Sequence, residues 1–385
     1  MRDAVIVDAV RTPTGRRNGK LKDWHPVDLA SVPLRALVER NDLDPGLVED
    51  VILGCVMQTG EQGINVARNA GLAAGFPEET VGTTVDRQCG SGQQAVHFAA
   101  QGVMAGAYDI VIAGGVESMT RVPMGVTAEG PGQPFGPLML ERYAHGLVPQ
   151  GISAEMIAEK WGVSRARLDE LGYQSHMRAA AATTDGRFIN EIVPIEIAVD
   201  GTVEEMTTDE GIRADTSLDA LAALQPAFKT DGRVTAGNSS QISDGAAALL
   251  IMGADVAERL EMEPMARFHA FALAGTDPVM MLTGPIPATE KVLDRAGLSL
   301  EDIDRFEVNE AFASVVAAWL DETGADWDRT NVNGGAIALG HPLGCSGARL
   351  MTTLVHELAR SKGRYGLQTM CEGGGMANAT VIERV

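Results

Sequence analysis

LVERNDLDPGLVEDVILGCV, residues 37–56, can be laid over VLDRAGLSLEDIDRFEVNEA, residues 292–311, at one shift (298 − 43 = 255). Leu43 then meets Leu298, Val48 meets Ile303 and Arg40 meets Arg295. The same shift carries Ser91-Gly92 onto Ser346-Gly347. Any two helix–loop–strand units share such an outline. One shift holding across two separated blocks nevertheless points to two similarly folded halves. Outward from this stretch, strands and helices alternate. Val5–Val10, Asp50–Val56 and Ile110–Gly115 read as buried strands, and Pro33–Arg40 and Ser91–Gly106 as helices. That alternation predicts an α/β sheet, largely parallel. Residues 119–242 break the plan, with a Gly/Pro stretch at Gly130–Pro137 and an Ala-rich helical run at His176–Thr183. This middle reads as a large insertion that carries ligand contacts.

The 385 residues hold two or three units of ordinary domain size. Hydrophobic residues make up 45% and charged residues 22%, which excludes a disordered chain. A formal net charge of −21 argues against nucleic acid and against an anionic membrane as partners. An anionic ligand would need a local basic patch. Cys55, Cys89, Cys345 and Cys371 form no C-x-x-C pair, so zinc and thioredoxin-like readings fail and no metal site is expected. The opening MRDAVIVDAVRTPTG lacks a signal-peptide pattern, and no apolar run of about 18 residues marks a membrane span. The expected location is the reducing cytoplasm.

Three glycine-framed blocks carry the chemistry. In VDRQCGSGQQAVHFAAQGVMAG, residues 85–106, Cys89 precedes Gly-Ser-Gly and an amphipathic run. Placed at a helix start, its thiolate is expected to be favoured by free N–H groups and the positive dipole end. The plainer alternative is a buried structural cysteine. In NVNGGAIALGHPLGCSGARL, residues 331–350, His341 is a base able to take the Cys89 proton. A phosphate-cradling loop is the rival, but no P-loop Lys-Ser/Thr follows. In MCEGGGMANATVIERV, residues 370–385, Cys371 is either an acid/base thiol beside oxyanion-binding N–H groups or a buried cysteine at a turn. Asn309, in FEVNEAFASV at residues 306–315, sits between a strand and a helix. It holds a water or carbonyl there, or caps the helix.

With these blocks together, the chain resembles the thiolase family from AVRTPTG at residues 9–15 to the terminal CEGGGMANA. The conjunction of Cys89-Gly-Ser-Gly, Asn309-Glu-Ala-Phe, Gly340-His-Pro and Cys371-x-Gly-Gly-Gly carries the resemblance. It implies a five-layered αβαβα fold, each half giving one mixed sheet, with an inserted loop domain. The implied division is 1–118 plus 243–262, then the loop domain 119–242, then 263–385. It implies an acyltransferase that cleaves a 3-ketoacyl-CoA with CoA. Cys89 is the nucleophile, His341 its base and Cys371 the acid/base on the acetyl-CoA carbon. One oxyanion site is implied at His341 and an Asn309-held water, the other at the N–H groups of Cys89 and Gly373. CoA is implied as co-substrate rather than a resident cofactor. It would lie against the middle region near Ser240, Arg213, Ala311 and Phe312. Family members are homodimers or homotetramers.

The sequence also departs from the family. Short-chain members carry His-Met-Gly where this chain has Pro149-Gln150-Gly151. The expectation is therefore a pocket open to longer or bulkier acyl groups, of fatty-acid or steroid origin, as in actinobacterial degradative thiolases. Ala377-Asn378 replaces the usual Gly and small apolar residue in the terminal loop. Competing readings are a biosynthetic acetoacetyl-CoA thiolase, a ketosynthase-type enzyme with two histidines, a lipid-binding relative, and a Cys/His hydrolase.

Overall fold

The computed structural model describes residues 2–199 and 201–385. Its strands are β1 (Ala4–Arg11), β2 (Gly15–Arg16), β3 (Asp50–Gly54), β4 (Val81–Val85), β5 (Ile110–Ser118), β6 (Ile195–Val199), β7 (Thr202–Met206), β8 (Ser243–Gly253), β9 (Ala266–Gly275), β10 (Arg305–Val308), β11 (Tyr365–Glu372) and β12 (Met376–Arg384). Its α-helices are α1 (Pro26–Arg40), α2 (Val66–Ala73), α3 (Ser91–Ala105), α4 (Pro137–Arg142), α5 (Gln150–Lys160), α6 (Arg165–Thr184), α7 (Leu218–Ala222), α8 (Ala254–Arg259), α9 (Pro285–Ala296), α10 (Ala313–Thr323), α11 (Ala336–Leu339) and α12 (Leu343–Ser361).

The hydrogen-bonded order is β10-β11-β12-β9-β1-β8-β5-β3-β4, with β2 on β8 and β6–β7 a separate hairpin. Strands β1, β5 and β8 are buried along their whole length, so both of their faces are covered. On β1, Val5 and Val7 pack with Leu34 and Leu37 of α1, while Ile6 and Ala4 pack with Val96 of α3 and Met351 of α12. The period of two thus feeds two different helix layers. Helix α3 also reaches the other half, because Gln93 Nε2 donates to Thr380 Oγ1 at 2.7 Å and His97 Nε2 stands 2.6 Å from it. On the far side, Val292 of α9 and Trp319 of α10 pack on Phe306, Leu367 and Val381. From α1–α2 through α3–α12 to α9–α10, the layers run α, β, α, β, α.

The repeat seen in sequence survives in three dimensions. β10 begins 255 residues after β3 (305 against 50), and β11 begins 255 after β5 (365 against 110). In both halves the later strand lies beside the earlier one and parallel to it.

Three expectations change. The two sheets are not separate, because β1 and β9 join them through Val5–Arg267 and Ile6–Ala266. The sheet is mixed rather than largely parallel, since β8 runs antiparallel to both β1 and β5. The first helix starts at Pro26, where His25 accepts from Val27 N–H, and Pro33 lies inside it. A proline is well suited to a first turn, and Pro26 rather than Pro33 fills that place. Residues 119–242 form α4 to α7 and the β6–β7 hairpin, between β5 and β8.

Candidate active site

Cys89 stands on the turn from β4 into α3, one residue before the helix cap Gly90. Gln88 adopts φ 48° and its carbonyl accepts from Ser91 N–H at 3.0 Å, which folds the chain sharply at the thiol. His341 is delivered from the other half, just before α12. The two approaches meet at glycines. A Cβ on Gly115 would lie 2.0 Å from the Gly344 carbonyl oxygen, so β5 and the start of α12 touch backbone to backbone. Glu117, at the end of β5, locks this junction. Its carboxylate accepts from Val56 N–H (2.9 Å), Met57 N–H (3.0 Å), Gln62 Nε2 (2.7 Å) and Gly344 N–H (2.8 Å).

The histidine's tautomer follows from its neighbours. Ser346 Oγ is 2.9 Å from the Pro342 carbonyl, which only accepts, so the hydroxyl proton goes there. Ser346 Oγ therefore accepts the Nδ1–H of His341 at 2.6 Å. The lone pair is left on Nε2, facing Asn309 Nδ2 at 3.4 Å. The same Asn309 amide lies 3.8 Å from Cys371 Sγ. One side chain thus spans the base and the second thiol, and its own Oδ1 has no partner among the described residues.

Cys89, His341, Cys371 and Asn309 are 3%, 4%, 0% and 1% exposed. Burial decides their charge. It lowers His341 to about 3, assisted by the Arg349 charge, so the resting imidazole is neutral. Burial pushes Cys371 up to about 12, against donation from Asn309 and from the N–H of Ala311. It also pushes the Cys89 thiol up, reinforced by Cys371 and Glu372. The Gly373 N–H and the Gln150 side chain act the other way and are outweighed. This reverses the expectation that the helix start favours a resting thiolate. Desolvation in a closed site exceeds a dipole that acts only from the first turn.

The other expected residues divide. Gly373 reaches Cys89 through its N–H. Ser240 N–H donates to the Ala311 carbonyl at 3.0 Å, and neighbouring Ser239 bridges Phe312, whose ring meets Phe228 edge-on at 5.8 Å. Arg213 is exposed, and its hydrogen bond runs through its backbone N–H to His176 Nδ1. A cavity of about 260 Å³ lined by Phe188, Ile189 and Asp209 includes none of the nine expected residues.

Several contributors escaped the sequence reading. Ser346 orients the base. Glu310 accepts from Ser175 Oγ (2.6 Å), Asn331 Nδ2 (2.9 Å) and Ile337 N–H (3.2 Å), bracing the loop that leads to His341. Gln150, noticed only as a departure, acts to favour the ionised form of the nucleophile. A polar residue beside a motif is the only signal that could have flagged them.

Among the described residues, no helix is long and apolar enough to cross a membrane. The family model described as the thiolase N-terminal domain matches residues 4–255, and the thiolase C-terminal domain matches residues 262–384. A steroid 3-ketoacyl-CoA thiolase of Mycobacterium tuberculosis is 49% identical, over 100% of this chain and 95% of its own length. A 3-ketoacyl-CoA thiolase of Bacillus subtilis is 44% identical over 100% of both chains. The crystal structure of the Bacillus anthracis acetyl-CoA acetyltransferase superimposes with a TM-score of 0.93 at 40% identity, covering 100% of this chain and 99% of that one.

Proposed function

This chain belongs to the thiolase family, and from that premise we propose that its buried thiol pair performs degradative thiolysis, Cys89 carrying the acyl group and Cys371 handling the carbon acid. The protein is an acyl-CoA C-acyltransferase that cleaves 3-ketoacyl-CoA, with CoA as co-substrate. The observation that carries the site reading is the Asn309 amide, held against both the His341 base nitrogen and the Cys371 sulfur.

The steps follow from these positions. His341 Nε2 takes the Cys89 proton as the sulfur attacks the 3-keto carbon. The 3-keto oxygen becomes anionic against the N–H groups of Cys89 and Gly373, while the thioester oxygen of the acetyl-CoA half faces the His341 Nε2–H just made and a water on Asn309. The C2–C3 bond breaks, its electrons enter the acetyl-CoA enolate, and Cys371 supplies the proton to C2. A second CoA gives its thiol proton to the Cys371 thiolate and attacks the thioester carbon, whose oxygen stays on the N–H groups of Cys89 and Gly373, and Cys89 leaves with the proton returned by His341. Neutral resting partners suit this order, because charge is created only once substrate is in place.

The remaining assignments are ours as well. Ser240, Ala311 and Phe312 line the pantetheine channel, and Arg213 meets the nucleotide end of CoA. The acyl group is medium, long or bulky, a reading supported by Pro149-Gln150 and by the steroid substrate in the name of one relative. The chain divides into 1–118 plus 243–262, the CoA-binding loop domain 119–242, and 263–385. The sheet path supports that division by seating β8 between β1 and β5. It assembles as a homodimer or homotetramer, supported by the outermost strand β4 with exposed Val81 and the nearby exposed Ile64 and Leu72. Four unpaired cysteines support a cytoplasmic location.

The test is mass spectrometry of the protein after mixing with 3-ketoacyl-CoA substrates of graded size. An acyl adduct on Cys89 that free CoA discharges is expected, strongest for the larger acyl groups. Absence of any Cys89 adduct would sink the site reading, and acetoacetyl-CoA giving the highest kcat/KM would sink the substrate reading.

A further inference from the structure

Glu372 lies between Cys371 and Gly373 at the end of β11, so its side chain leaves the strand on the face opposite Cys371. It is 0% exposed. Its carboxyl stands directly over Gly90, where a Cβ would lie 1.9 Å from Oε1 and 2.7 Å from Cδ. Only a glycine after the nucleophile leaves room for it. Neither carboxyl oxygen has a hydrogen-bond partner among the described residues.

Three other buried acids in this fold are each held by several donors. Glu117 receives four donors, Glu310 three, and Asp209 a two-pronged Arg11. Glu372 receives none. Beside it, Asn378 spends an amide proton on the Gly90 carbonyl at 3.0 Å. The charged and titratable groups near Glu372 are Arg87, Asp86 and Cys89 on the turn before α3, with Cys371 next to it on the other face of its own strand. Among the described residues, Arg87 makes no ion pair with it within 4.0 Å. A buried carboxyl without donors keeps its proton.

We infer that Glu372 is a positioning residue that governs thiolate formation: uncharged it permits a thiolate on Cys89, and ionised it suppresses one. The inference rests on Cys89 as nucleophile. Burial raises Glu372 to about 8, against the Arg87 charge. Its negative form already opposes ionisation of both Cys89 and Cys371. Raising the pH past that point therefore creates a carboxylate against the turn that bears the nucleophile. A lone thiol only becomes more reactive as pH rises. Here the gain is opposed, and the enzyme carries its own alkaline limit.

The experiment is the pH dependence of Cys89 alkylation by iodoacetamide, read by peptide mass spectrometry, with kcat/KM for thiolysis measured alongside on wild type and Glu372→Gln. In wild type the alkylation rate should rise and then break near pH 8. In E372Q it should rise without a break, and the ratio of rates at pH 9 to pH 7 should exceed that of wild type by roughly tenfold. Superimposable profiles would overturn the inference. If E372Q does not fold, the wild-type profile decides alone, a single unbroken rise refuting it. A wild-type protein with no thiolysis and no reactive Cys89 at any pH would instead refute the nucleophile assignment.

Discussion

Replacing Ser346 by alanine should slow chemistry without loosening substrate binding. Ser346 Oγ is the acceptor of the His341 Nδ1–H at 2.6 Å, and it lies among fully buried atoms where water cannot take its place. In the resting enzyme the imidazole is neutral, so this is a neutral hydrogen bond, worth about 0.5–1.5 kcal/mol net. When Nε2 takes the Cys89 proton the ring becomes a cation, and the same bond is worth about 1.5–3 kcal/mol. The difference, about 1–2 kcal/mol, is stabilisation present only as the thiolate forms. It converts to a roughly 5–30-fold fall in kcat with KM little changed. A second loss acts in the same direction. Without Ser346 the ring can place its proton on Nε2, which removes the base. The assay is single-turnover acylation of Cys89 followed by quench and mass spectrometry, so that product release does not mask the step. A loss under about twofold, or a loss confined to KM, would refute the tautomer argument.

Cys371→Ala should spare transfer of a simple acyl group between CoA and Cys89 while C–C cleavage collapses by at least roughly 100-fold. Equal loss of both rates, measured by adduct formation and by acetyl-CoA release, would contradict its acid/base role. Arg11→Met strands Glu191 and Asp209, which Arg11 now holds at 2.6 Å and 2.7 Å in the interior, and should cost about 3–5 kcal/mol in urea titrations. A cost under about 1 kcal/mol would show that water reaches the pair. Glu372→Gln should also change stability with pH. The folded protein holds the Glu372 proton up to about 8, whereas the unfolded chain releases it near 4.5. Wild-type Tm should therefore fall relative to E372Q as pH climbs between those values, and level off above them. A Tm difference that stays flat from pH 5 to pH 8 would mean the carboxyl is already ionised.

The sequence made the thiols and the histidine legible because each sits in a local frame of glycines that marks a helix start or a tight loop. The repeat was equally legible, since β3 and β10 occupy equivalent places in the two halves. What stayed hidden depends on contacts between distant positions. Glu117 serves Gly344, and Glu310 serves Ser175. Nothing local distinguishes those glutamates from solvated ones. The charge state of Cys89 was misjudged for the same reason. A dipole can be read from a helix start, but desolvation belongs to the closed site. The joined sheets were hidden because the seam is two residue pairs, fewer than any strand pattern reveals.

That seam has a consequence for how the activity is inherited by the chain. Its two sides, β1 and β9, belong to different halves: Cys89 precedes β9 in sequence, and Asn309, His341 and Cys371 follow it. A break in the connection at Glu261–Pro264, between α8 and β9, would yield two polypeptides, each holding part of the machinery and neither able to complete a turnover. Their reassociation would regenerate a working centre, so catalysis would report directly on whether the two pieces had met.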